Sequence, residues 1–106
     1  MDRNEVTMLA DKARAGDRSA FEKLYDEFSM KVFYFIRQNV GADDAAEDIT
    51  SETFTAAIEN IQTLRKGESF VGWLYSIAYK KCADYIKRVS RRESLDEEQL
   101  ESSKLN

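Results

Sequence analysis

The chain contains no proline and only four glycines among its 106 residues, so few positions can interrupt a helix. Between these glycines run long stretches rich in Ala, Leu, Glu, Lys and Arg, which are strong helix formers. Gly16 and Gly41 each follow a helix-periodic stretch and are expected to end a helix. The sequence therefore predicts an all-α fold, a compact bundle of three to four helices.

Apolar residues recur at steps of three and four, the spacing of amphipathic helices. This spacing predicts helices over residues 3–15, 19–39, 44–61 and 70–91. Ser19 with Glu22 and Asp44 with Glu47 have the spacing of a capping box, and Ser69 is the expected N-cap of the fourth helix.

The last three helices each present one apolar stripe, and we expect these stripes to form the core. The stripe residues are Phe21, Leu24, Tyr25, Phe28, Val32, Phe35 and Ile36, then Ala46, Ile49, Thr53, Phe54, Ala57, Ile58 and Ile61, then Phe70, Leu74, Ala78, Cys82, Tyr85 and Val89. Cys82 is interpreted as a small buried hydrophobe, and the alternative is a reactive thiol.

One cysteine and no histidine argue against a disulfide-stapled secreted fold and against a zinc or haem site. No apolar run reaches the length of about 20 residues that spans a bilayer, and the N-terminus lacks a continuous apolar stretch of the signal-peptide kind. We therefore expect a cytoplasmic protein with no metal, no cofactor and no membrane insertion.

Charge is distributed unevenly along the chain. Residues 1–61 carry seven Lys or Arg against thirteen Asp or Glu, residues 62–92 carry eight against two, and residues 93–106 carry one against five. The net charge of −4 thus conceals a basic segment between two acidic ones. Such segregation predicts two surfaces with different partners.

The third predicted helix has polar and acidic side chains opposite its apolar stripe. Those singled out are Asp44, Glu47, Asp48, Ser51 and Glu52, with Thr55 and Glu59 on the same side. An ordinary solvated helix face fits this pattern. A carboxylate metal site is disfavoured, because such centres need ligands that converge inward from several helices.

The fourth predicted helix has a basic stripe that contains an aromatic residue. The stripe is formed by Trp73, Ser76, Lys80, Lys87 and Arg91, and Arg65, Lys66, Arg88 and Arg92 extend the basic zone. Cations can track phosphates and an exposed ring can stack on an unpaired base, so the pattern is typical of single-stranded nucleic-acid binding. Alternatively, Trp73 packs on a neighbouring helix at the rim of the core.

The polar segment 62–69 joins the third and fourth helices and contains Gly67. We expect its hydrogen-bond donors to be mobile and accessible. It fits either a loop that reads bases or a plain connector.

Three blocks taken together are specific. Ala46–Phe54 (AEDITSETF), Phe70–Ala78 (FVGWLYSIA) and Asp84–Arg88 (DYIKR) closely resemble the second conserved region of bacterial sigma factors, in particular the extracytoplasmic-function (ECF) group. The resemblance runs from about Ala15 to Arg92.

This resemblance implies a helical domain that docks on the clamp coiled coil of the RNA polymerase core. It implies that the domain recognises and helps melt the promoter minus-ten element, on the non-template strand, during transcription initiation. By the same resemblance, the acidic face of the third helix would bind the polymerase, and Trp73 would contact a base. The segment 62–69 would hold a flipped base, and the phosphate contacts are Lys87, Arg88, Arg91 and Arg92. An anti-sigma factor is a further implied partner.

Three positions depart from the family pattern. Ser51 stands where glutamine is usual, and Lys80 stands where asparagine is common, so that a point charge replaces an amide. Ser76 and Ile77 replace the adjacent aromatic pair of primary sigma factors, as is general in the ECF group. The expected consequence is less autonomous melting and stricter promoter demands.

We expect residues 1–92 to form the region 2 domain and residues 93–106 to be an acidic linker or disordered tail, with region 4 absent. The chain is then either a fragment of a longer protein or a single-domain member of the family. A second function stays open, namely a protein-interaction module that an anti-sigma partner sequesters and that does not bind DNA. An enzyme is disfavoured, because the chain lacks histidine, inward-facing paired carboxylates and a glycine-rich phosphate loop.

Overall fold

Four α-helices follow one another along the chain. The computed structural model describes residues 1–105, with side chains described for residues 1–96. α1 spans Arg3–Arg14, α2 Arg18–Val40, α3 Asp43–Asn60 and α4 Phe70–Leu105, with short 3-10 turns at Ile61–Thr63 and Gly67–Ser69. No strand occurs within residues 1–105, so the predicted all-α fold is confirmed.

Each helix begins within one residue of its predicted position, but the predicted N-caps of α2 and α3 are wrong. α2 is capped by Asp17, whose Oδ1 accepts the Ala20 N–H at 3.2 Å. The Ser19 hydroxyl donates a hydrogen bond to the same carboxylate at 2.8 Å. Ser19 therefore supports the N-cap residue but is not itself the N-cap. The Ser19 hydroxyl and the Ala20 N–H hold the pKa of Asp17 below its usual range.

α3 has no side-chain cap, because Ala42 occupies the N-cap position. Asp43 and Asp44 lie in the first turn, where a carboxylate is stabilised by the positive end of the helix dipole. Asp43 also forms an ion pair with Arg37 at the end of α2. The predicted capping box of Asp44 and Glu47 is therefore replaced by charge interactions.

Gly16 and Gly41 end α1 and α2 as predicted. Their φ angles are 104° and 77°, in the left-handed region that glycine adopts without steric cost. The Gly41 N–H donates to the Arg37 carbonyl at 3.0 Å, which satisfies one of the last free carbonyls of α2.

α2 lies at the centre of the bundle and packs against the other three helices. Leu24, Ile36, Phe70 and Leu74 are fully buried, which confirms the predicted stripes of α2 and α4. α1 adds a further apolar face to the core that the sequence pattern did not single out, formed by Val6, Leu9, Ala10 and Ala13. Tyr25 is the main exception, since it is 45% exposed and presents its ring edge-on to Phe54.

Cys82 is buried in the core, and burial raises the pKa of its thiol. A thiol that is buried and protonated is a poor nucleophile, so the interpretation as a small hydrophobe is confirmed. Thr50 and Thr53 are buried too, and each hydroxyl donates to the carbonyl four residues earlier.

The predicted end of the fourth helix near residue 91 is wrong, because α4 continues to Leu105. No glycine or proline follows Gly72, and Glu, Leu, Gln and Lys all favour helix, so nothing in the sequence stops it. The acidic tail predicted over residues 93–106 therefore begins as helix, and residues 97–106 lie outside the described side chains.

Candidate protein and nucleic-acid interfaces

The acidic face of α3 consists of five exposed residues opposite the buried side of that helix. They are Asp44, Glu47, Asp48, Ser51 and Glu52, all assigned to this face from the sequence. None of these carboxylates takes part in an ion pair with another described residue. Their charges therefore face solvent and are open to a partner.

A shallow apolar groove borders the acidic face on the α2 side. It has a volume of about 450 Å³, and α2 contributes Tyr25, Ser29, Met30 and Phe33 while α3 contributes Glu47, Thr50 and Ser51. Met30 is 57% exposed, an unusual position for a large apolar side chain. Sequence analysis missed this groove, although Met30 lies outside the apolar stripe of α2 and gave the signal. An apolar patch with a charged rim is typical of a protein-docking surface.

The basic stripe of α4 is solvent-exposed along nearly its whole length. On α4, Arg88 and Arg92 extend the predicted stripe of Trp73, Ser76, Lys80, Lys87 and Arg91, and the name basic stripe covers all seven residues. All of them except Trp73 are exposed. Within residues 1–96, none of its cations forms an ion pair. From Lys80 to Arg92 the stripe extends over about 18 Å of helix.

Trp73 is half-buried at the start of this stripe. Its ring packs on the core, with its centroid 6.1 Å from that of the fully buried Phe70. The Ser76 hydroxyl donates to the Trp73 carbonyl at 2.6 Å and is therefore engaged with the helix backbone. The indole combines the two readings considered for it, since it packs at the rim of the core and keeps part of its surface in solvent.

The backbone of the α3–α4 loop (residues 62–69) is hydrogen-bonded to α1, which argues against the expected mobility, while two of its side-chain donors are accessible as expected. Leu64 and Gly67 are buried, while Arg65 and Lys66 are exposed. The Arg14 side chain of α1 donates from Nε to the Leu64 carbonyl at 2.7 Å and from Nη2 to the Arg65 carbonyl at 2.6 Å. The composition of the loop could not reveal these bonds, because their donor lies about fifty residues away.

Lys66 does not offer its full charge to a partner. Its Nζ lies 2.8 Å from Glu68 Oε1, and this hydrogen bond raises the pKa of Lys66 and lowers the pKa of Glu68. Both side chains are well exposed, so the pair is accessible and readily exchanged for another anion. Ser69 is the last residue of the 3-10 turn and directly precedes the first residue of α4.

The acidic face and the basic stripe meet in a groove between α3 and α4. Glu52 from α3 shares this groove with Lys81, Asp84, Lys87 and Arg88 from α4. Glu52, which was assigned to polymerase binding, and Lys87, which was assigned to DNA binding, are therefore neighbours. The two predicted surfaces are adjacent and not on opposite sides of the molecule.

No cluster of three or more potential metal ligands exists within the part of the chain that the structure describes. Of the described helices, none is both long enough and apolar enough to cross a membrane.

Comparison with known proteins identifies a family whose sequence model the chain matches. The sequence model of Sigma-70 region 2 matches residues 24–92. The chain is 39% identical over 90% of its length to the ECF RNA polymerase sigma factor BldN of Streptomyces coelicolor. It is 31% identical over 82% of its length to the ECF RNA polymerase sigma factor SigW of Bacillus subtilis, and 30% identical over 79% to the ECF RNA polymerase sigma-E factor of Haemophilus influenzae. The chain spans 39%, 46% and 44% of these three relatives, in that order.

Proposed function

Because the chain belongs to the Sigma-70 region 2 family, we propose that it acts in transcription initiation as the region 2 domain of an ECF-type RNA polymerase sigma factor. In this proposal it docks on the clamp coiled coil of the polymerase core, and it recognises and helps melt the promoter minus-ten element. The observation that carries the proposal is the placement of two exposed faces of opposite charge on adjacent helices of one bundle.

We assign polymerase docking to the acidic face of α3 and the apolar groove beside it. The carboxylates supply charge complementarity to a basic partner, which speeds encounter and fixes orientation. The groove lined by Tyr25, Met30 and Phe33 supplies apolar surface that is removed from water on binding. A coiled coil with cations beside an apolar residue would match both parts.

We assign DNA binding to the basic stripe of α4 and the exposed cations of the α3–α4 loop. Bases of a duplex can be read on their pairing edges only after opening, which costs a few kcal/mol of unstacking. Stacking of an unpaired base on Trp73 would return about 1–3 kcal/mol, and phosphate contacts from Lys80, Lys87 and Arg91 would supply much of the rest.

The acidic character of the whole chain explains why two partners are needed. With a net charge of −4, the chain as a whole repels duplex DNA at long range, and the excess of negative charge comes from residues 93–106. Polymerase docking would cover the acidic face and place the opened strand against α4. In this role the domain makes and breaks no covalent bond, so it is a binding module and not an enzyme.

The test is single-strand binding with and without a clamp coiled-coil fragment. Fluorescence anisotropy of labelled single-stranded DNA of random sequence would compare wild type with Trp73→Ala and with the triple variant Lys80→Ala, Lys87→Ala, Arg91→Ala. We expect the fragment to strengthen binding, Trp73→Ala to weaken it by about 1–3 kcal/mol, and the triple variant to weaken it further. Tyr79→Ala is the matched control, since Tyr79 is an exposed aromatic of α4 outside the stripe.

Binding to DNA that none of these changes alters at moderate salt would overturn the assignment of α4. The alternative function, a protein-interaction module held by an anti-sigma partner, would then account for the exposed faces better.

A further inference from the structure

We propose that α1 is the positioning element of the α3–α4 loop, with Arg14 and Asp11 as positioning residues for base recognition. This inference rests on the proposed function, because it concerns the loop whose exposed cations are assigned there to DNA binding. It concerns a helix that lies outside residues 24–92, the part that the Sigma-70 region 2 model matches.

Arg14 uses three nitrogens of its guanidinium group in one network. Besides the bonds to the Leu64 and Arg65 carbonyls, its Nη1 donates to Asp11 Oδ1 at 2.9 Å. The guanidinium group is planar and rigid, so three simultaneous acceptors define its position and that of the loop carbonyls it binds. Three of the five N–H donors of Arg14 are thus engaged within the protein, which makes Arg14 a poor candidate for contacting DNA directly.

Asp11 fixes the other end of the same segment. Its Oδ1 accepts the Gly67 N–H at 2.9 Å while it also accepts from Arg14. Residues 64–67 are therefore bound to α1 at both ends, through two carbonyls and one amide.

Gly67 shows how closely the loop approaches α1. A Cβ at this position would lie 2.4 Å from the Thr7 carbonyl oxygen and 2.7 Å from Asp11 Oδ1, distances at which atoms overlap. Gly67 has no positive φ, so close approach and not backbone conformation requires glycine here.

The fixed segment carries the two exposed cations of the loop. Arg65 lies between the two carbonyls bound by Arg14, and Lys66 lies between the Arg65 carbonyl and the Gly67 amide bound by Asp11. Both side chains face solvent. α1 therefore sets where these side chains project. Discrimination among bases depends on donors held in a fixed geometry, so release of the loop should impair base preference more than total binding.

The test uses the chain assembled with the RNA polymerase core and a single-stranded DNA library of random sequence. Bound molecules would be sequenced for wild type, Arg14→Ala and the control Lys12→Ala, which removes an exposed cation of the same helix that forms no ion pair with a described residue of the loop. We expect Arg14→Ala to reduce the enrichment of preferred sequences by about tenfold, a difference of about 1.4 kcal/mol. Association with the core and the affinity for the unselected pool should change by less than about twofold.

Two further measurements separate positioning from general loss of stability. Hydrogen exchange at the Gly67 amide should accelerate by about tenfold in Asp11→Ala, while exchange in the core of α2 stays unchanged. Gly67→Ala should reproduce the loss of base preference, whereas Gly72→Ala, where an added Cβ meets nothing within 4 Å, should fold with at least wild-type stability.

Arg14→Lys serves where Arg14→Ala does not fold. A single ammonium group cannot satisfy all three acceptors, so we expect intermediate enrichment. Enrichment in Arg14 variants equal to that of wild type would overturn the role of α1 and leave the proposed function standing. Absence of any enrichment in wild type would overturn both.

Discussion

The acidic face of α3 and the basic stripe of α4 cover the same core, yet they differ in how their charges are supported. α3 is surrounded by neighbours, and its charges stand beside an apolar groove on α2. The basic stripe starts at a half-buried tryptophan and continues along a part of α4 in which every described residue after Val89 is exposed. The acidic face is a charged patch beside an apolar groove, whereas the basic stripe is a row of cations that begins at one aromatic residue.

This difference predicts two kinds of recognition. A patch that combines charge with apolar surface suits a folded protein of fixed shape. A line of cations with a single ring suits a flexible strand, because phosphates are evenly spaced and any base can stack. Changing one face and measuring binding at the other tests whether the two faces act independently.

The largest effect is expected from Phe70→Ala, which removes the common support of both faces. Phe70 is fully buried and packs on Phe28 and Trp73, so its loss should lower the free energy of unfolding by about 3–5 kcal/mol. Urea unfolding followed by Trp73 fluorescence and by far-UV circular dichroism should give one coincident transition. Val71→Ala, at a 37% exposed neighbour, should cost about 0.5 kcal/mol or less. Two separate transitions would mean that the faces do not share one cooperative unit.

Charge reversal on α3 should separate the two faces. Asp48→Lys with Glu52→Lys should weaken association with the clamp coiled coil by about 3 kcal/mol, roughly a hundredfold, since like charges would meet across the interface. Isothermal titration calorimetry would measure this, and Glu22→Lys with Asp26→Lys on α2 is the control of equal charge. Unchanged association would remove the acidic face as the docking surface.

The salt dependence of single-strand binding should show whether the strand follows α4. Removal of Lys80, Lys87 and Arg91 should reduce the slope of log K against log salt by about 2, since each phosphate contact on a single strand contributes about 0.7. Replacement of Lys12, Arg18 and Lys23 by alanine, on α1 and α2, should leave the slope near its wild-type value. Equal slopes in both variants would indicate that the strand does not follow α4.

The smallest effect is expected from Glu68→Gln, which frees the charge of Lys66. Single-strand affinity should rise by about twofold, and less at high salt, because the carboxylate no longer competes with phosphate. Since pairing lowers the pKa of Glu68 from 4.5, its contribution to stability is present above pH 4.5 and is lost as the pH falls through the lowered value. Carboxyl NMR titration of Glu68 in wild type and in Lys66→Ala would measure the shift, which should vanish in the variant.

Local sequence signals were sufficient for the helices and for most of the core. Glycines at 16 and 41 and apolar steps of three and four fixed three of the four helices to within a residue or two at each end. The caps were misplaced because Asp17 and Ser19 can both cap, and only the folded geometry shows which oxygen reaches the Ala20 N–H. Tyr25 follows the apolar period of α2 but lies at its edge, where periodicity cannot separate core from rim.

The exposed charges of the candidate site could be predicted from the sequence, but the contacts that hold the α3–α4 loop against α1 could not. The acidic and basic residues assigned from the helical period lie in solvent, while their roles in binding stay predictions. The anchoring of the loop by Arg14 and Asp11 depends on contacts between residues fifty or more positions apart, for which a single sequence carries no signal. Composition alone made residues 62–69 look like a free connector.

If the two proposed partners bind as assigned, the groove lined by Glu52, Asp84, Lys81, Lys87 and Arg88 would link their binding energetically. A protein that neutralised Glu52 would deepen the positive potential felt by a phosphate at the neighbouring cations. By thermodynamic reciprocity, a strand already lying there would tighten the grip of that protein by the same factor. Order of arrival would then be irrelevant to the final free energy of the ternary assembly, and cooperativity would arise without any change in shape.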